Sequence, residues 1–248
     1  MRRPLPTNLV YGYRAIEEAF EANKTFDKLL ISTSLQGDTQ AKFLQLCKDH
    51  KAPFQKVPKE KLNRITNANH QGLIGFISPI DFHPLEEIVA RVFEEGKQPF
   101  FLALDEVSDI RNFGAIARTA NCAGVDALII PFKGSAAINE DAIKTSAGAL
   151  FHIPVCKVDS MKVALNYLQM SGVKLVGLTE KTETSFFDID LKSPVCLVMG
   201  SEEKGLSSNS FKQIDELGKL PMFGEVSSLN VSVAAGIAIY ETLKQRAK

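Results

Sequence analysis

The stretch Phe100–Pro131, FFLALDEVSDIRNFGAIARTANCAGVDALIIP, decides the fold class. It opens on the apolar run FFLALDEV, continues into the helical pattern NFGAIARTANCAG, and returns to a second apolar run, DALIIP. Strand, helix and strand in immediate succession make a β-α-β unit, and strands apolar on both faces belong in a parallel sheet covered by helices on each side. The same grammar runs on toward the C-terminus. PVCKV, KLVGL and PVCLVMG are further buried strands, NEDAIKTSAGAL and SMKVALNYLQMSG lie between them as helical segments, and a long helix over Ser228–Gln245 closes the chain.

Toward the N-terminus the elements are smaller. YGYRAIEEAFEAN is helical, FDKLLIS a strand, and DTQAKFLQLCKDH a helix with Asp38 as its N-cap. A strand at Phe54–Val57, a short helix opened by Pro58 and a strand GLIGFI follow. The reading is therefore a small α/β domain over 1–78, a connector over 79–97 punctuated by Pro79 and Pro84, and a larger α/β domain over 98–248. Within the connector, HPLEEIVARVFEEGK is an amphipathic helix ending at Gly96, either a linker or the first element of the next domain.

Composition narrows the class. With 45% hydrophobic and 23% charged residues in 248, the chain is an ordinary folded protein, and disordered, collagenous and coiled-coil readings fall away. The opening MRRPLPTNLV has no apolar run suited to a signal peptide, and no stretch nears the roughly 18 apolar residues of a membrane span, so a cytoplasmic protein with no membrane partner is expected. Cys47, Cys122, Cys156 and Cys196 are scattered and read as buried thiols, and neither they nor the four histidines have metal-site spacing. Zero net charge hides an asymmetry: residues 1–78 carry 12 basic against 7 acidic residues, and the remainder is correspondingly acidic. A phosphate-binding footprint, if present, lies on the N-terminal part.

The usual α/β nucleotide chemistries are excluded one by one. Gly200-Ser-Glu-Glu-Lys-Gly205 has the glycine spacing of a phosphate loop, but Leu206 and Ser207 replace its Lys and Ser/Thr, and two carboxylates would repel a triphosphate. No G-x-G-x-x-G and no G-x-S-x-G occurs.

Three segments together resemble the signature motifs of the SpoU/TrmH family of RNA ribose 2′-O-methyltransferases. Leu104–Gly124 places Asn112, Gly114 and Arg118 on the first motif's key positions; Leu197–Ser207 places Gly200 and Glu202 on the second; and Lys219–Glu241, with its Ser-Leu-Asn-Val-Ser-Val-Ala run, is similar to the third. The start Tyr11-Gly12-Tyr13-Arg14 and the run His70-Gln71-Gly72 resemble the small RNA-binding domain, akin to certain ribosomal proteins, that precedes the catalytic domain in many members. Two residues depart from the pattern: Ile110 stands where proline is usual and Glu203 where glycine is usual.

The resemblance implies an α/β-knot (trefoil knot) domain, a homodimer, S-adenosylmethionine as cofactor, and RNA rather than DNA as partner. The Val-Ser-Ser-Leu-Asn-Val-Ser-Val-Ala run and the extra domain look most like the large-subunit rRNA guanosine methyltransferases, with tRNA enzymes and a non-catalytic RNA-binding member as alternatives. It implies a catalytic set of Arg118, Asn112, Glu202, Ser228 and Asn230, and cofactor contacts at Gly200, Leu220, Met222 and Leu229. The residues alone leave simpler roles open. Arg118 could pair with Asp105 or Asp109, Asn112 could cap the helix near Phe113, Ser228 could cap the last helix, and Leu220, Met222 and Leu229 could be core.

Overall fold

A computed structural model describes residues 8–50, 52–225 and 228–247. Arg2 and Arg3 at the start, and Val226 and Ser227 of the third motif, lie outside the described residues. The chain forms two compact units that divide between Asp81 and Phe82.

The first unit runs β1 (Leu9–Tyr11), α1 (Tyr13–Glu21), β2 (Phe26–Ser32), α2 (Asp38–Asp49), β3 (Phe54–Val57), α3 (Lys59–Ile65) and β4 (Leu73–Ile77). Its sheet has the order β1-β4-β2-β3, antiparallel except for the β2–β3 pair. Tyr11, expected at the head of a helix, belongs instead to β1; Gly12, at φ 83°, makes the turn, and α1 begins at Tyr13. Asp38 is not an N-cap either: Gly37 holds that position and Asp38 is the first helical residue. Ile16, Phe20, Leu29, Ile31, Phe43 and Leu73 form the core between sheet and helices.

The second unit runs α4 (Leu85–Glu94), β5 (Phe100–Leu104), α5 (Ile110–Cys122), β6 (Ala127–Pro131), α6 (Glu140–Thr145), β7 (Val155–Val158), α7 (Met161–Met170), β8 (Lys174–Leu178), β9 (Val195–Met199), α8 (Ser208–Phe211), β10 (Glu216–Gly218) and α9 (Val231–Arg246), with single 3₁₀ turns at Ala149–Phe151 and Phe186–Asp188. Its sheet is wholly parallel, in the order β10-β8-β9-β5-β6-β7. Every residue of β5, β6 and β9 is buried, as runs apolar on both faces require. Each such Leu, Ile, Val or Phe contributes roughly 1.5–3 kcal/mol by leaving water.

The helix expected in a connector packs inward. Leu85, Ile88, Val89 and Val92 of α4 join Phe101, Ala103 and Ile129 in one core cluster, because four apolar side chains at helical spacing need a covered face. β10 carried no sequence signal: three residues, Glu-Leu-Gly, are too few to show a period. Three of the four cysteines are buried, which pushes their thiols up to about 12, whereas Cys122 is exposed on the outer face of α5.

The far end of α9 is anchored by Arg246. Its guanidinium donates to the carbonyls of Leu191 (3.0 Å), Gln98 (2.8 Å), Pro99 (3.0 Å) and Ser193 (2.6 Å) and lies 5.1 Å from the Phe100 ring centroid. These partners lie at the N-terminal ends of β5 and β9, so the opposite end of α9 reaches the C-terminal ends of the same strands.

Candidate active site

The C-terminal ends of parallel strands are where α/β sheets place ligands, and here the loops after β5 and β9 meet the start of α9. After β5 the chain turns at Glu106, a non-glycine residue at φ 63°, and enters α5. Asp109 is the N-cap, accepting the Asn112 N–H at 2.8 Å, so Asn112 is not the cap and its carboxamide is left free. Ile110 occupies the first helical position, where proline is favoured for its fixed φ and any good residue is admitted; its departure from the pattern costs no contact.

After β9 the chain makes a closed turn in which Ser201 and Gly205 exchange backbone hydrogen bonds of 3.0 and 2.9 Å. Gly200 allows it. A Cβ there would lie 2.0 Å from the Gly205 carbonyl carbon, so the residue's first task is to let the loop fold back on its own backbone. Gly205 takes φ 67°, but Glu203 is not among the positive-φ residues, so its carboxylate replaces glycine without backbone strain. Asp105 holds the far side of the loop by accepting the Ser207 N–H at 2.9 Å.

At the start of α9 the cap is Asn230, not Ser228, and the helix begins three residues later than its sequence suggested. The Asn230 Oδ1 accepts from the Ser232 N–H at 2.9 Å and the Ser232 hydroxyl at 2.6 Å. That fixes the amide's orientation: its NH₂ must point away, and it donates to Asn112 Oδ1 at 3.0 Å and to Glu202 Oε1 at 3.4 Å. Asn112 Nδ2 in turn donates to Glu202 Oε2 at 3.0 Å. Residues 90 and 118 positions apart thus close a triangle on one carboxylate. Donors end on both oxygens of Glu202, which holds its charge in one place at the edge of a cleft of ≈ 360 Å³. Asp109, Asn112, Glu202, Glu203 and Val231 are among its walls.

Three of the five expected catalytic residues are therefore brought together, and two are not. Ser228 is exposed two residues ahead of the cap. Arg118 is exposed on α5, and no hydrogen bond or ion pair to it is found among the described residues; Asp105 and Asp109, its expected partners, are taken by backbone N–H groups. Six residues along a helix turn Arg118 about 120° from Asn112, and the run AIARTA, apolar in sequence, has its charged member on the outer face. Leu220 is half-buried and Met222 and Leu229 are exposed, so none of the three is core. The contributions of Asp109 and Ser232 were missed. An Asp-x-x-Asn spacing is a capping signal that could have shown the first, whereas nothing in the sequence ties Ser232 to Asn230.

A model described as the SpoU rRNA methylase family matches residues 99–240, and one described as RNA 2′-O ribose methyltransferase substrate binding matches residues 9–83. YacO of Bacillus subtilis, assigned to the TrmH family of tRNA/rRNA methyltransferases, is 34% identical over 96% of this chain and 95% of its own. A Staphylococcus saprophyticus protein of the same description is 33% identical over 96% of both. Among solved structures, the SpoU methyltransferase AviRb from Streptomyces viridochromogenes, in complex with AdoMet, shares the fold at TM-score 0.62 and 24% identity, covering 96% of this chain and 90% of that one. The A. aeolicus TrmH/SpoU tRNA modifying enzyme is 30% identical at TM-score 0.54, covering 66% of this chain and 84% of its own. With the motif residues of three distant segments joined in one network and both units matched, the chain belongs to the SpoU/TrmH family of RNA methyltransferases.

Proposed function

We propose that this protein transfers a methyl group from S-adenosylmethionine to a ribose 2′-hydroxyl of structured RNA. The observation that carries the reading is the Asn112–Glu202–Asn230 triangle, three polar residues with no structural need to meet except to fix one carboxylate beside an open cleft. Leu229, one residue ahead of Asn230, and Met222 have exposed side chains and Leu220 is half-buried, so all three have apolar surface to offer a cofactor, and Glu202 and Glu203 supply acidic groups. That pairing suits a cofactor with a flat apolar part and a cationic centre, and Gly200 adds its backbone. The cofactor, when bound, supplies an electrophilic methyl on a positively charged sulfur.

The chain's own task is positioning. A ribose hydroxyl is a poor nucleophile unless its proton is held by an acceptor, and a placed acceptor contributes roughly 10²–10⁴-fold. Glu202, oriented by two carboxamides, is the acceptor in this cleft. A guanidinium is a cation with five donors and no acceptor, so Arg118 acts by holding a phosphate or developing oxyanion through its planar fork rather than as a base. Ser228 contacts substrate ahead of the Asn230 cap.

The reading extends to the rest of the molecule. The first unit, with its basic balance, is the RNA-binding part, and the ribosomal large-subunit RNA, at a guanosine, is the preferred substrate over tRNA. The protein is a cytoplasmic homodimer; no helix among the described residues is long and apolar enough to cross a membrane. Val233, Tyr240 and Leu243 of α9 are 49%, 50% and 36% exposed, and this apolar stripe is the proposed contact with the second copy. Calorimetric titration with S-adenosylmethionine, followed by mass mapping of RNA from a strain lacking the gene, tests the proposal. Saturable cofactor binding and one missing 2′-O-methyl group support it. RNA binding without cofactor binding would leave a non-catalytic member of the fold.

A further inference from the structure

The cleft beside the triangle is strongly acidic. Glu106, Asp109, Glu202 and Glu203 line it against a single ammonium, Lys204. Four carboxylates in one cleft repel any phosphate that enters, yet on the reading above an RNA strand must bring a ribose to Glu202. The sheet order supplies a route. β9, β5 and β6 are consecutive neighbours, and the loops that follow them carry Lys204, the start of α5 and Lys133 respectively. Lys204 lines the cleft, Arg111 precedes the lining residue Asn112, and Lys133 precedes the lining residue Gly134. All three are exposed, and none of their side chains makes a hydrogen bond or ion pair among the described residues. Neighbouring strands lie about 4.8 Å apart, so the ends of β9 and β6 are roughly 10 Å from each other, with β5 between. At about 3.4 Å of rise per nucleotide, that distance spans some three stacked nucleotides of one strand.

We propose that Lys204, Arg111 and Lys133 form a phosphate-gripping rim that lays a single RNA strand across the C-terminal ends of β9, β5 and β6, so that phosphates stay outside the acidic cleft while one ribose hangs into it. The proposal rests on the RNA methyltransferase reading and gives it a strand direction across the sheet. Attraction at the rim and repulsion in the cleft act together: the first holds the backbone, and the second forbids the register in which a phosphate, rather than a hydroxyl, faces Glu202.

The test uses the full chain with Lys204→Gln, Arg111→Gln and Lys133→Gln singly and together, and Lys162→Gln on α7 as a control for loss of one surface charge. Binding of a fluorescein-labelled single-stranded oligoribonucleotide is measured by anisotropy between 50 and 200 mM salt. Each lost contact with a single strand flattens the slope of log K against log salt by about 0.7, so over a four-fold salt range the unaltered chain should lose about 18-fold more affinity than the triple variant. With RNA from the deletion strain as methyl acceptor, KM for RNA should rise several-fold for each single variant. The kcat at saturating RNA and the affinity for S-adenosylmethionine should hold. A triple variant with the slope of the unaltered chain, or no different from Lys162→Gln, overturns the rim; so does a fall in kcat with KM intact. If the unaltered chain binds the oligonucleotide but methylates no RNA, the function fails, and the salt slopes still judge the rim by themselves.

Discussion

Replacing Gly200 by alanine would test whether the closed loop after β9 is what aims Glu202. The added Cβ would stand 2.0 Å from the Gly205 carbonyl carbon, 2.2 Å from the Leu206 nitrogen and 2.3 Å from the Gly205 oxygen. Carbon atoms pack at about 3.5–4.0 Å, so one strand of the loop must retreat by about 1.5 Å. All three neighbours are backbone, and no side chain can rotate aside to absorb the change. β9 is buried along its whole length and paired on both sides, so the displacement falls on Ser201–Gly205 and carries Glu202 with it. Overpacking of this kind costs about 1–3 kcal/mol of stability, and a misplacement of about 1 Å at a reacting group costs about 100-fold in rate. Gly200→Ala should therefore lower kcat for methyl transfer by at least about 100-fold and shift the urea midpoint to match the stability loss. Calorimetry would report what cofactor affinity remains. A folded Gly200→Ala protein with kcat within about two-fold of the original and an unmoved midpoint would refute the argument, because the loop's closure would then have no part in positioning the carboxylate.

Three other outcomes are expected. Arg118→Ala should lose most turnover while binding S-adenosylmethionine almost normally, and Arg118→Lys should recover only part, since lysine keeps the charge without the fork; single-turnover rates that match the original in the lysine variant, with a new ionisation, would make proton abstraction the better account. Asn230→Ser should keep the helix cap and hence stability within about 0.5 kcal/mol, yet lose the links to Asn112 and Glu202 and with them most of kcat, whereas Asn230→Ala should lose about 1 kcal/mol as well; thermal melts and initial rates separate the two. In the first unit His70 is buried, accepting the Gly72 N–H at 3.0 Å on Nδ1 and facing Asn63 Oδ1 across 2.8 Å on Nε2. Burial, with Lys59 adding to it, lowers its pKa below 6.5 in the fold. The unfolded chain then binds the proton more readily, so stability should be full above about pH 6.5 and fall as the pH drops below that value. Urea midpoints at pH 7.5 and pH 5.5 should show this difference, and His70→Gln should reduce it; an equal difference in the variant would assign it elsewhere.

The alternation of apolar runs and helical periods was enough to specify the parallel sheet of the second unit, because a strand covered on both faces must be apolar at every position, as β5, β6 and β9 are. The motif residues Asn112, Glu202 and Asn230 were likewise legible, as types at fixed spacings. Their meeting was not. Which oxygen of Glu202 each amide reaches depends on a helix cap set by Asp109, a loop closed over Gly200 and an orientation imposed by Ser232, and none of these leaves a period in the sequence. Local patterning carries information about neighbours one turn or one strand away, so it misjudged the caps at Asp38 and Ser228, the exposure of Cys122 and the surroundings of Arg118. Those depend on which face a neighbouring element covers. Residues 90 and 118 positions apart come together only once burial of the strands and of α9 has fixed where the loops end, and that decision belongs to the tertiary structure.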